Sequence, residues 1–134
     1  MSAIDERNLA LQNIYKCILK SNVNRNLMNN DMIISIVMEQ PAPKFYISPK
    51  EAKKLILSYY KSNGELPIRK KSLTREMAKD LVENYEMLRK KFPHTDKERI
   101  YEYVVEQPAK SFYMSYNSVR AVIFNYKGRT KRRL

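Results

Sequence analysis

Glycine is nearly missing from this 134-residue chain: there are two, with one cysteine, one histidine and no tryptophan. So few glycines argue against glycine-rich phosphate-binding loops and against an all-β fold, whose hairpins rely on glycine-containing turns. The single thiol, Cys17, forms neither an internal disulfide nor a four-thiolate zinc site, and it is expected as a buried helical cysteine. His94 stands in a polar stretch with no second histidine or cysteine to share a metal ion, so it reads as an ordinary exposed residue. No metal and no cofactor is expected. Long hydrophobic runs are also missing. The longest, such as residues 32–38, falls far short of the roughly 18 residues a membrane span needs, and the N-terminus lacks a basic start followed by an apolar stretch. A soluble, cytoplasmic protein with no membrane partner is expected.

Acidic charge is in short supply as well. Lys and Arg number 26 against 14 Asp and Glu, a formal net charge of +12, while 43% apolar residues suffice for a core. Such an excess at this size implies a polyanionic partner: nucleic acid first, with an anionic membrane or an acidic protein behind it. The excess is also segregated. Residues 1–39 carry four basic and four acidic side chains, and residues 76–106 carry six basic and eight acidic. Residues 40–75 carry nine basic and two acidic, and residues 107–134 carry seven basic and none acidic. Two near-neutral segments thus alternate with two segments of net +7, as expected of a duplicated unit with a scaffold half and an anion-facing half.

A shift of 67 residues aligns VMEQPAPKFYIS (37–48) with VVEQPAKSFYMS (104–115), identical at eight of twelve positions without a gap. Upstream, Ala10, Leu11, Ile14, Tyr15 and Ile18 fall opposite Met77, Ala78, Leu81, Val82 and Tyr85, which keeps the helical spacing where identity is lost. A tandem duplication accounts for both. Each half then reads as three helices. The first half has helices over 4–20 and 31–39 and a third opened by Ser48, Pro49 and Glu51, a capping box with proline at the first helical position. That helix runs to about Lys61, where Asn63-Gly64 and Pro67 break it. The second half has helices over 74–91, from a Thr95–Glu98 capping box to Glu106, and from Tyr116 to Tyr126, stopped by Gly128. The fold class is all-α: two tandem three-helix units, 1–61 and 73–127, joined by a basic linker, 62–72, and followed by a basic tail, 128–134.

Within each repeat a small residue, a turn position, a buried apolar residue and a helix cap fall at fixed offsets. They are Ala42, Tyr46, Ile47 and Ser48 in the first copy and Ala109, Tyr113, Met114 and Ser115 in the second. Ala52 and Leu55, or Val119 and Val122, then face the core. Over about twenty residues per copy this resembles a helix-turn-helix DNA-binding motif. Tyrosine stands where that motif usually has glycine, and Pro41, Pro43 and Pro108 fall inside its first helix, which is expected to be a single turn. The string Pro-Ala-x-x-Phe-Tyr-x-Ser is also similar to one in small uncharacterised proteins of Bacteroidetes and their phages or mobile elements. It implies no activity.

The resemblance places Lys50, Lys53 and Lys54, with Pro49, on the outward face of one recognition helix, and Tyr116, Asn117 and Arg120, with Phe124, on that of the other. Lysines suit phosphates, whereas asparagine pairs bidentately with adenine and arginine with guanine, so the second copy is expected to read sequence and the first to hold the backbone. Arg69, Lys70 and Lys71 in the linker, and Arg129, Lys131, Arg132 and Arg133 in the tail, resemble basic arms that follow a phosphate ridge. Phe45-Tyr46 and Phe112-Tyr113 could stack on unpaired bases, but their repetition in a turn points to anchoring the turn instead. Tyr101 and Tyr103, neighbours on a helix, are expected to point apart. Asp80 with Glu83, and Glu102 with Glu106, read as surface charge pairs. No tyrosine has the histidine and arginine cluster of a strand-transfer nucleophile. The expectation is a noncatalytic protein, not an enzyme, that binds double-stranded DNA as a monomer or homodimer, in transcription regulation or DNA organisation. A phage virion or accessory protein docking on an acidic protein surface, and an RNA-binding protein, are the alternatives.

Overall fold

A computed structural model of the chain describes residues 2–21, 29–65 and 72–125. Among them the structure is helical, with one isolated backbone bridge. The helices are α1 (Ala3–Ser21), α2 (Asn30–Glu39), α3 (Pro49–Lys61), α4 (Ser72–Lys91), α5 (Lys97–Val105) and α6 (Tyr116–Arg120), the last widening into a π-helical turn over Ala121–Asn125. None is long and apolar enough to cross a membrane among the described residues. The caps follow local chemistry. Ser48 accepts a hydrogen bond from the Glu51 amide at 3.1 Å and Ser115 from the Ser118 amide at 3.2 Å, each satisfying a donor of the first turn. The cap of α5 is Asp96, one residue after the expected Thr95, and it makes no side-chain cap bond. The last helix is regular only to Arg120, where a continuous helix to Tyr126 was expected.

The helices form two compact units, which are not the consecutive stretches 1–61 and 73–127. Unit 2 is Pro41–Tyr113, and unit 1 joins Met1–Gln40 to Met114–Leu134. In unit 2, α3, α4 and α5 pack on one another around Ile56, Leu81, Ile100 and Val104. In unit 1, α1 and α2 are completed by α6 and its π turn around Leu11, Ile34, Val37 and Val119. Each unit therefore takes two helices from one half of the chain and the third from the other. The burial pattern recurs at the 67-residue spacing: Ile33, Ile34 and Val37 are buried, as are Ile100, Tyr101 and Val104, and so are Ala52 and Ile56, as are Val119 and Ile123. Unit 1 also buries Gln12, whose side-chain amide donates to the Val122 carbonyl at 2.5 Å, and sets Phe124 edge-on against Tyr15 at 5.6 Å. Phe124 thus belongs to the packing, not to an outward face.

The segment that the helix-turn-helix resemblance assigns to a first helix and a tight turn is not helical in either copy. Residues 40–48 separate α2 from α3, and residues 106–115 separate α5 from α6, against the three- or four-residue turn of the motif. Prolines at 41, 43 and 108 disfavour helix and remove donors there. Inside unit 2, Ala42 and Ala109 exchange both backbone hydrogen bonds at 3.0 Å as an antiparallel bridge. Phe45 stacks on Tyr113 at 6.4 Å and Tyr46 on Phe112 at 6.1 Å. Tyr113 holds the left-handed backbone, φ 54°, that the turn position of the motif reserves for glycine.

Two local expectations are corrected. Cys17 is exposed, because the buried line of α1 runs through Asn8, Leu11 and Gln12 and position 17 lies off it. Asp80 is not a surface carboxylate: it is 4% exposed. Its Oδ2 accepts from the Lys110 amide at 2.9 Å and the Tyr113 hydroxyl at 2.6 Å, and its Oδ1 from the Asn84 amide at 3.1 Å. Glu83 alone remains a surface ion pair, with Lys110 at 2.8 Å. Tyr101 is buried and Tyr103 exposed, pointing apart as the helix period requires.

Three unit 2 tyrosines resist ionisation. Burial, then the bond to Asp80, pushes Tyr113 up; for Tyr60, which is 43% exposed, partial desolvation and the 2.9 Å bond to Glu86 push it up, a shift that solvent weakens as a contribution to stability. Burial and Tyr85 push Tyr101 up to about 12. The unfolded chain releases these protons near pH 10.0 while the folded chain holds them. Their contribution to stability is therefore complete below pH 10 and is lost as pH rises toward their folded values. In an alkaline titration, the tyrosinate absorbance of these three residues is expected to appear together with loss of helix signal, not before it.

Candidate nucleic-acid interface

Helix α3 is fixed at both ends. Ser48 caps its start with Pro49 in the first turn; Asn63 (φ 53°) and Gly64 (φ 87°) reverse the chain after it, the Gly64 amide donating to the Tyr59 carbonyl at 2.9 Å. Ala52 and Ile56, one turn apart, are fully buried and set the orientation of the helix. Spaced by four, three and four residues, Lys50, Lys54, Leu57 and Lys61 then form a solvent-facing line. At 1.5 Å per residue the three ammonium groups are strung along roughly 16 Å of helix. Leu57, 51% exposed, interrupts the line with an apolar side chain.

The predicted site residues divide. Lys50 and Lys54 are exposed as expected. Lys53 is half-exposed and turned toward α5: its ammonium pairs with Glu98 at 2.5 Å and lies 5.9 Å from the centre of the Tyr101 ring. Its charge is engaged within unit 2. Lys61 was not singled out by sequence reasoning, although the signal was present in its spacing from Lys50 and Lys54 on one helix. In unit 1, Asn117 and Arg120 are exposed one turn apart on α6. Tyr116 is half-buried and donates its hydroxyl proton to the Asp31 carboxylate, so it anchors α6 to α2 instead of facing outward. The linker residues Arg69, Lys70 and Lys71 and the tail residues Arg129, Lys131, Arg132 and Arg133 lie outside the described residues.

The remaining surface of the described residues offers little chemistry. An open hollow of about 290 Å³ in unit 2 is lined by Glu76, Lys79, Asp80, Lys110, Ser111 and Tyr113, but Asp80, Lys110 and Tyr113 spend their polar atoms on one another and on Glu83. No group of histidine, cysteine and carboxylate side chains suited to a metal ion occurs among the described residues. Phe45 and Phe112 are buried and both Phe-Tyr pairs stack on each other, which occupies the ring faces that unpaired bases would use. His94 is exposed. Comparison of the chain with protein-family models, with curated proteins and with solved structures gives no match.

Proposed function

We propose that the chain is a noncatalytic protein that binds double-stranded DNA, as a regulator or a DNA-organising factor in the cytoplasm of a cell or phage host. The observation that carries this reading is the exposed line Lys50, Lys54 and Lys61 on α3, within a chain of net charge +12. Lysines along a helix fit phosphates, which supply most of the affinity for a duplex and no sequence information. Asn117 and Arg120, exposed on α6, have the donors and acceptors that discriminate base edges. The basic linker and tail add charge available for counterion release.

The test is selection from a randomised duplex pool, followed by a salt titration of the retained DNA. Replacing Lys50, Lys54 and Lys61 with alanine is expected to weaken all duplexes alike, each lost phosphate contact lowering the slope of log affinity against log salt by about 0.9. Asn117→Ala or Arg120→Ala is expected to reduce sequence preference with little change in slope. Equal responses to both kinds of substitution would rule out this division of roles.

A second reading draws on Leu57, whose apolar side chain sits amid the lysines. An acidic protein surface with an apolar spot, as on a virion or an accessory complex, fits that pattern. A stable protein complex that survives nuclease treatment would favour it, whereas salt-sensitive duplex binding by the monomer favours DNA.

A further inference from the structure

Neither half of the chain contains a complete unit. The first half supplies α1 and α2 to unit 1 and α3 to unit 2; the second supplies α4 and α5 to unit 2 and α6 to unit 1. We propose that the protein is a dimer of one repeat made continuous by its linker, in which the third helix of each repeat docks on the first two helices of another copy. The partner that the surface of α4 and α5 fits is therefore the third helix of a second repeat, and the covalent link serves as a tether.

Three observations within the units support this. First, the docking residues share one register: Ala52 and Ile56 of α3, and Val119 and Ile123 at the same places in the last helix, are all buried. Second, each exchanged helix is held by polar contacts to helices of the other half. In unit 2, Lys53 binds Glu98 and Tyr60 binds Glu86; in unit 1, Tyr116 binds Asp31 and Gln12 binds the Val122 carbonyl. Third, the connecting segments meet reciprocally. Ala42 exchanges hydrogen bonds with Ala109, its own counterpart 67 residues on, while Phe45 stacks on the counterpart of Tyr46 and Tyr46 on the counterpart of Phe45. A contact in which i meets j and j meets i is the mark of a two-fold, isologous association. The sequence spacing makes it intramolecular here.

The experiment uses the full chain with a protease recognition sequence inserted after Glu65, an exposed residue beyond the end of α3. The uncut protein is first shown to have the helix signal of the parent. It is then cleaved in native buffer and run on a sizing column. The expected result is that the fragments, residues 1–65 and 66–134, elute together at the position of the intact chain with undiminished helix signal, and part only in denaturant. Fragments that separate while each stays helical would overturn the proposal in favour of consecutive three-helix units. Collapse of the helix signal on cleavage would overturn it too, since the link would then be a structural member and not a tether. DNA binding enters none of these readouts, so failure of the functional reading leaves this test intact.

Discussion

Ile56→Ala is expected to lower the free energy of unfolding by about 2–5 kcal/mol, the range for truncating a buried aliphatic side chain. Ile56 is fully buried where α3 meets α4 and α5, so the loss combines the transfer free energy of the missing carbons with a cavity that three packed helices close only in part. Leu57, its neighbour on the same helix and 51% exposed, serves as the control; Leu57→Ala is expected to stay within about 0.5 kcal/mol of the parent. Chemical denaturation followed by helix signal measures both. Equal losses at the two positions would mean that α3 does not rest on the other two helices through Ile56.

Asp80→Ala is expected to cost about 2–4 kcal/mol, because it leaves the Lys110 amide and the Tyr113 hydroxyl without the acceptor that they now share. A buried carboxylate normally needs a cation close by, yet here backbone, phenol and carboxamide donors supply the compensation, with the Lys110 ammonium bound to Glu83 instead. Tyr113→Phe is expected to be milder and to couple with Asp80→Ala: the double variant should lose less than the sum of the single losses, as partners in one network do. A cycle of the four proteins in denaturant gives the coupling directly, and strict additivity would show that the Asp80–Tyr113 bond contributes nothing.

Much of the architecture is legible in the sequence because it is local. The scarcity of glycine, the apolar spacing of 3.6 and the serines ahead of Pro49 and Tyr116 give the helices and most of their boundaries to within a residue or two; the exception is the end of α6, where the regular helix stops at Arg120 and a π turn follows. Which helix covers which apolar face is not local information. The stripe Ala52-Ile56 needs a partner, but the periodicity of α1 and α2 accepts it as readily as that of α4 and α5. The non-helical segment at 40–48, with its two prolines, separates α2 from α3, and the unit boundary falls at its start. The burial of Asp80 was hidden for the same reason, since two of its three donors come from residues 30 and 33 positions away. In the candidate interface, the exposure of Lys50, Lys54, Asn117 and Arg120 follows from helical spacing, whereas the diversion of Lys53 to Glu98 and of Tyr116 to Asp31 depends on contacts 45 and 85 residues distant.

The interleaving of the two units also sets an order of events at the ribosome. Unit 2 is continuous in the chain and has all its helices once Tyr113 has been made. Unit 1 begins first and finishes last: Gln12 waits for a carbonyl 110 residues downstream. At roughly 5–20 residues per second that interval is about 5–20 s, and for most of it Ile33, Ile34 and Val37 have no third helix to cover them. An apolar face of α1 and α2 therefore stays uncovered until α6 has been made.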